Sequence, residues 1–187
     1  MPGAKEFARP TQLHIDIGDV EAVVRFNHVI EASGRLATSQ SYQDLCITPD
    51  GKAIVFTGVL SQQQALFIRR LNELQATPLR GGEQGVSPFS SPDGEWIGFI
   101  DASDGTRLKK VSALGGPPTI LVKAAGTITG ATWTTDGQIV FGVLGRGLYS
   151  IPEGGGAEPV ELTTIDKAEG DVAHIVPHAV PGSPVVL

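Results

Sequence analysis

The side chains best suited to hold a metal ion or move a proton near neutral pH are the four histidines, His14, His28, His174 and His178. His174 and His178 stand four residues apart, a spacing that on a helix puts two ligands on one face. The intervening Ile175-Val176-Pro177 reads as extended chain instead. On a strand the pair still shares a face, but about 13 Å separates them, too far for one ion. A shared divalent metal therefore needs His14 or His28 of a second copy to join them. Such an ion would lower the pKa of its bound water and support hydrolysis of an ester, lactone or phosphoester. The plainer reading makes these histidines structural or simply exposed, and no cofactor is then expected.

Other groups point less to chemistry. Asp50, Asp93 and Asp136 each precede a glycine, where a carboxylate accepts backbone N–H groups of a turn. Asp101 and Asp104 with Gly105 resemble a calcium loop only faintly, and an exposed hairpin loop accounts for them. No Gly-x-Ser-x-Gly elbow occurs. Gly154-Gly155-Gly156 neither follows a buried strand nor opens a helix, as a phosphate loop must. Cys46, the one cysteine, lies in an apolar run and reads as a buried thiol, and a single cysteine excludes an intrachain disulfide. Trp96 and Trp133 read as core. The net charge of −6 argues against a nucleic-acid partner. No apolar stretch is long enough to span a bilayer, and Met1 to Phe7 opens no signal peptide.

The elements that must position these groups follow from a repeat. Thr48-Pro49-Asp50-Gly51, Ser91-Pro92-Asp93-Gly94 and Thr134-Thr135-Asp136-Gly137 recur every 43 residues, and a degraded copy stands at Val180-Pro181-Gly182. Each turn has an alternating run before it and an apolar run after it, such as Ala53 to Phe56, Trp96 to Ile100 and Ile139 to Phe141. Asp-Gly between two such runs signals a hairpin. A second strand pair completes each copy: Ala65 to Leu71 with Ala76 to Leu79, Leu108 to Val111 with Thr119 to Val122, and Leu148 to Ile151 with Pro159 to Leu162. Ser61 to Leu74 could pass for helical, but the repeat register assigns strand there. Four short strands at this period predict an all-β chain, a β-propeller of four-stranded antiparallel blades. The blades fall at about 42–79, 86–122 and 129–162, with a half-blade at 173–187. Residues 1–40 lie outside the repeat and carry an alternating strand near 12–17.

These residues bear a resemblance. The Ser-Pro-Asp-Gly turn with its apolar exit strand resembles the propeller repeat of the TolB family. The stretch from Leu66 through Gly82, Gly85 and Ser87-Pro88-Phe89 to Gly94 is similar to the propeller that follows the kinase domain in some bacterial Ser/Thr protein kinases. The resemblance covers roughly 42–187. It implies the fold and a domain working outside the bacterial cytoplasm, but it is poorly specific for activity, because propellers host binding, scaffolding and hydrolysis alike. A non-catalytic binding or interaction module is the leading reading, and the metal-dependent hydrolase is its alternative. Ring propellers of this kind have six or more blades, whereas about three and a half are counted here. Two remedies are open: the chain is part of a longer one, or a homodimer forms, in which a second copy completes the ring and its strand at Leu13 to Ile17 completes the half-blade. We expect the homodimer.

In a propeller, ligands meet the central channel where each outer strand crosses to the next innermost strand. Those crossings are predicted at Arg80 to Gly85, Lys123 to Ile128 and Thr163 to Val172. Asp44, Ser87, Thr129 and His174 are then the expected channel-mouth residues for a protein or small-molecule ligand. Glu83, Asp166, Glu169 and Asp171 would give the rim its acidity.

Overall fold

The computed structural model describes residues 43–180 and 186. His14, His28 and the strand expected near 12–17 lie outside them. Among the described residues there are twelve strands and no helix, in three four-stranded antiparallel sheets. The first sheet is β1 (Leu45–Ile47), β2 (Ala53–Leu60), β3 (Gln63–Arg70) and β4 (Thr77–Glu83), in that order. The second is β5 (Gly85–Ser90), β6 (Trp96–Asp101), β7 (Arg107–Ser112) and β8 (Thr119–Lys123). The third is β9 (Ile128–Trp133), β10 (Gln138–Val143), β11 (Leu148–Pro152) and β12 (Val160–Glu161). Each sheet is a meander, and the leading strands β1, β5 and β9 lie side by side. The segment with helical composition, Ser61 to Leu74, forms β3, as the register requires.

The repeated turn is held by more than its glycine. Gly51, Gly94 and Gly137 take φ of 67°, 74° and 75°, where a Cβ is disfavoured. Two residues before each aspartate, the hydroxyls of Thr48, Ser91 and Thr134 are buried. Each donates to the turn carboxylate at 2.5–2.6 Å. Each also accepts an N–H from across the turn, of Ala53, Trp96 and Gln138 respectively. The hydroxyl, and then a backbone N–H, hold Asp50 and Asp93 below the ordinary carboxylate range.

Packing between sheets explains the near-continuous apolar runs, because a sheet covered on both faces has no polar side to alternate with. Val55, Leu66, Ile68 and Leu79 of the first sheet meet Ile97, Phe99 and Val111 of the second. On the other face of the second sheet, Phe89, Ile100, Leu108 and Leu121 meet Trp133, Ile139, Phe141 and Ile151 of the third. Phe99 and Phe141 occupy equivalent places and are fully buried, worth roughly 1.5–3 kcal/mol each. Their counterpart Phe56 stacks on Phe67, ring centroids 5.7 Å apart, on the face of the first sheet turned away from the second.

One crossing differs from expectation. Instead of a loop from Arg80 to Gly85, β4 runs on to Glu83, and Gln84 alone separates it from β5. Glycines allow this. A Cβ on Gly81 would lie 2.0 Å from the Gly116 carbonyl oxygen, and one on Gly82 would lie 2.8 Å from Leu66. The chain therefore lies flat on both sheets, and Gln84 bonds Gln64 on one side and Ala102 on the other.

Candidate functional site

The leading strands of the three sheets wall a central groove of about 610 Å³. Gln43 to Ile47 bring Leu45 and Ile47, 44% and 42% exposed, to one side. Phe89 and Ser90 of β5 and Ala131, Thr132 and Trp133 of β9 form the floor, and His178, Ala179 and Val180 close the far side. That far wall is seated by β9, since the Ala179 N–H donates to the Thr132 hydroxyl at 3.0 Å. Just before it the chain lies on the third sheet at two glycines. A Cβ on Gly142 would be 2.7 Å from the His174 carbonyl oxygen, and one on Gly130 would be 2.9 Å from Val176 Cα. Val176 itself takes φ 50°, a strained conformation for a β-branched residue. In the described part of the fourth unit, the pairing is a single antiparallel bridge, Ala179 to Val186.

The expected channel-mouth residues fall on neighbouring leading strands. Asp44 precedes β1 and is half-buried; its carbonyl accepts the Thr57 N–H at 3.0 Å. Ser87 is buried in a bulge of β5 with φ 55°, and its hydroxyl accepts the Gln43 N–H at 3.2 Å. Thr129 is buried in β9, its hydroxyl without a partner among the described residues. His174 is turned into its own loop. Its Nδ1 lies 2.6 Å from the Thr163 hydroxyl, which also accepts the Leu148 N–H. Its Nε2 lies 3.6 Å from Asp171.

His178 is exposed and reaches the groove wall. Among the described residues no group of three or more His, Cys, Asp or Glu side chains is placed to hold a metal ion. The rim acids serve their own loops: Glu83 accepts the Gly81 N–H, Asp166 accepts those of Ala168 and Glu169, and Asp171 that of Asp166. Cys46 lines the groove, and burial pushes its thiol up to about 12.

Asp101 corrects the reading of an exposed loop. It is 3% exposed, the most deeply buried carboxylate of the described residues. Lys109 Nζ lies 2.7 Å away and Arg107 3.6 Å, and the Ser103 N–H and hydroxyl both donate to it. Burial opposes its charge, but the bonds from Lys109 and Ser103 prevail and hold it at about 2. Two cations and a serine therefore neutralise and satisfy the carboxylate. The signal was in the sequence: Arg107 and Lys109 alternate on one strand, at cross-strand reach of Asp101.

Three sheets fanned about their leading strands are propeller blades, and solved structures bear this out. A protein described as a putative TolB from Agrobacterium tumefaciens matches 63% of this chain and 48% of its own, at 21% identity and TM-score 0.51. The fold is a partial TolB-like β-propeller. TolB from Acinetobacter baumannii matches 70% of this chain and 35% of its own, at 17% identity and TM-score 0.50. A nidogen/laminin complex matches 72% and 50%, at 14% identity and TM-score 0.54. The chain thus spans half or less of the length of these neighbours. No family model matches the sequence, and no curated protein does either. No helix among the described residues is long and apolar enough to cross a membrane.

Proposed function

We propose that the chain is a non-catalytic binding module whose partner or ligand enters the central groove. The lining carries the reading. It joins apolar side chains from all three sheets to a few neutral polar groups, Gln43, Ser90, Thr132 and Thr135, with His178 the one titratable side chain besides the buried thiol. A volume near 610 Å³ falls in the range of roughly 300–1,000 Å³ typical of ligand sites. A binding surface needs such a wall, whereas acid–base catalysis needs groups converging on a reacting atom.

N-phenyl-1-naphthylamine, uncharged and apolar, tests this through energy transfer from Trp133. Saturable binding that is lost in Ser90→Trp, which fills the floor, is expected. Absent or unsaturable binding would remove the reading. Zinc, manganese or iron that co-purifies, with an esterase or phosphoesterase activity lost on chelation and in His178→Ala, would replace it with the metal-dependent hydrolase.

The binding form is a homodimer that closes the ring. Two apolar faces favour it. Leu45 and Ile47 are exposed on the Phe56 side of the first sheet, and Val160 on the outer strand of the third and Leu162 just after it are exposed. Each sheet within the chain covers its neighbour's face, so a second copy offers each open face what it already meets inside. Light scattering after size exclusion checks it: twice the chain mass is expected, and a monomer at all concentrations would exclude the dimer.

A further inference from the structure

We propose a second binding site, separate from the central groove, for an amphiphilic monocarboxylate, in the cleft between the first two sheets at their Asp-Gly turns. This cleft of about 550 Å³ is lined by Ala53, Ile68, Arg70, Leu71, Ala113 and Leu114, with Lys52 and Asp50 at its rim. Ile68 and Arg70 alternate onto the face of β3 that meets the second sheet, so the guanidinium stands at the edge of an apolar wall. Leu114, at the tip of the hairpin joining β7 to β8, is 85% exposed.

Charge decides the class of ligand. Among the described residues Arg70 makes no ion pair and no side-chain hydrogen bond. Asp50, the one carboxylate of the lining, is already engaged by the Thr48 hydroxyl, the Lys52 N–H and, at 3.5 Å, the Lys52 ammonium. An unpaired guanidinium next to apolar surface selects a planar anion carrying an apolar tail, because it binds a carboxylate through two parallel N–H donors.

The repeat supplies an internal comparison. The corresponding cleft between the second and third sheets, of about 440 Å³, is lined by Ser91, Asp93, Thr134, Asp136 and Glu153. It has the same turns but no leucine and no arginine. Where the first cleft has Ala113 and Leu114 at the hairpin tip, the second has Glu153 and Gly154, as the matching turn bonds of Gly115 and Gly155 show. Equivalent backbone thus presents an anion-accepting apolar cleft once and an acidic cleft once, so the first cleft's chemistry is not a by-product of the blade's geometry.

Octanoate, titrated into the protein and followed by calorimetry or by amide shifts at Arg70 to Asn72, provides the test. Saturable binding is expected for octanoate and none for octylammonium. Arg70→Gln should weaken octanoate about tenfold, the loss of one charge-assisted contact. Leu114→Gly, which copies the third sheet at an exposed tip and leaves the core untouched, should weaken it about threefold. Ser90→Trp, which blocks the central groove, should leave it unchanged, so this site and the groove fail independently. No saturation with octanoate, equal binding of octylammonium, or unaltered affinity in both Arg70→Gln and Leu114→Gly would overturn the proposal.

Discussion

Replacing Asp101 with asparagine isolates the buried ion cluster at the end of β6. The carboxylate's ordinary value of 3.8 is lowered to about 2. At about 1.36 kcal/mol per unit this is on the order of 2–3 kcal/mol of stability at neutral pH. Because the folded value is the lower one, that stability is fully present above about pH 4. It is lost as pH falls through about 2. Asp101→Asn should therefore unfold at lower urea than the parent at pH 7, by roughly 2–3 kcal/mol, and the gap should close toward pH 2. Lys109→Met should cost more, about 3–5 kcal/mol, because it leaves a buried charge with Arg107 at 3.6 Å as its remaining cation beside the Ser103 donors. In Asp101→Asn, Lys109 and Arg107, partly exposed, can turn to water. Urea unfolding followed by tryptophan fluorescence from pH 7 to 2 measures both variants. A gap between Asp101→Asn and the parent that stays constant over that range would refute the electrostatic account and leave only lost packing.

Three further outcomes follow from the same geometry. Ser91→Ala removes a donor to Asp93 and an acceptor for the Trp96 N–H, and should lower stability by about 1–2 kcal/mol in urea unfolding at pH 7. Gly142→Ala places a methyl within 2.6 Å of Thr129 Oγ1 and 2.7 Å of the His174 carbonyl, so it should cost about 1–3 kcal/mol. Hydrogen exchange should then speed up at Ala179, whose N–H holds the groove wall. Cys46, buried with its thiol pushed up to about 12, should resist a disulfide reagent at pH 8 in the folded protein and react promptly in urea.

Much of the fold was legible along the chain, and for a physical reason. A 43-residue recurrence of Asp-Gly with apolar exits needs only local rules: a glycine for positive φ, a carboxylate for turn N–H groups, and β-branched and aromatic residues beyond. The strand assignments at β2, β6 and β10 follow from that alone. Even the helix-tolerant Gln62-Gln63-Gln64-Ala65 was settled by register, since a blade cannot lose its third strand without exposing its neighbour's core. The hydroxyls of Thr48, Ser91 and Thr134 share the 43-residue period, so their role was available to the same reading.

What escaped that reading depends on contacts made only once strands pair and sheets meet. Asp101 looks like a loop acid until folding sets Arg107 and Lys109 beside it across the hairpin. His174 looks like a channel residue until the crossing chain brings Thr163 to its Nδ1. Gly81, Gly82, Gly130 and Gly142 carry no local signal, because what each avoids is a backbone or side chain from another segment of the chain. The central groove belongs to this class as well. The sequence by itself determined blades and turns, which are satisfied within a few residues. Only the tertiary structure decided which side chains wall the groove and which of two equivalent clefts is cationic, because these depend on how neighbouring sheets meet.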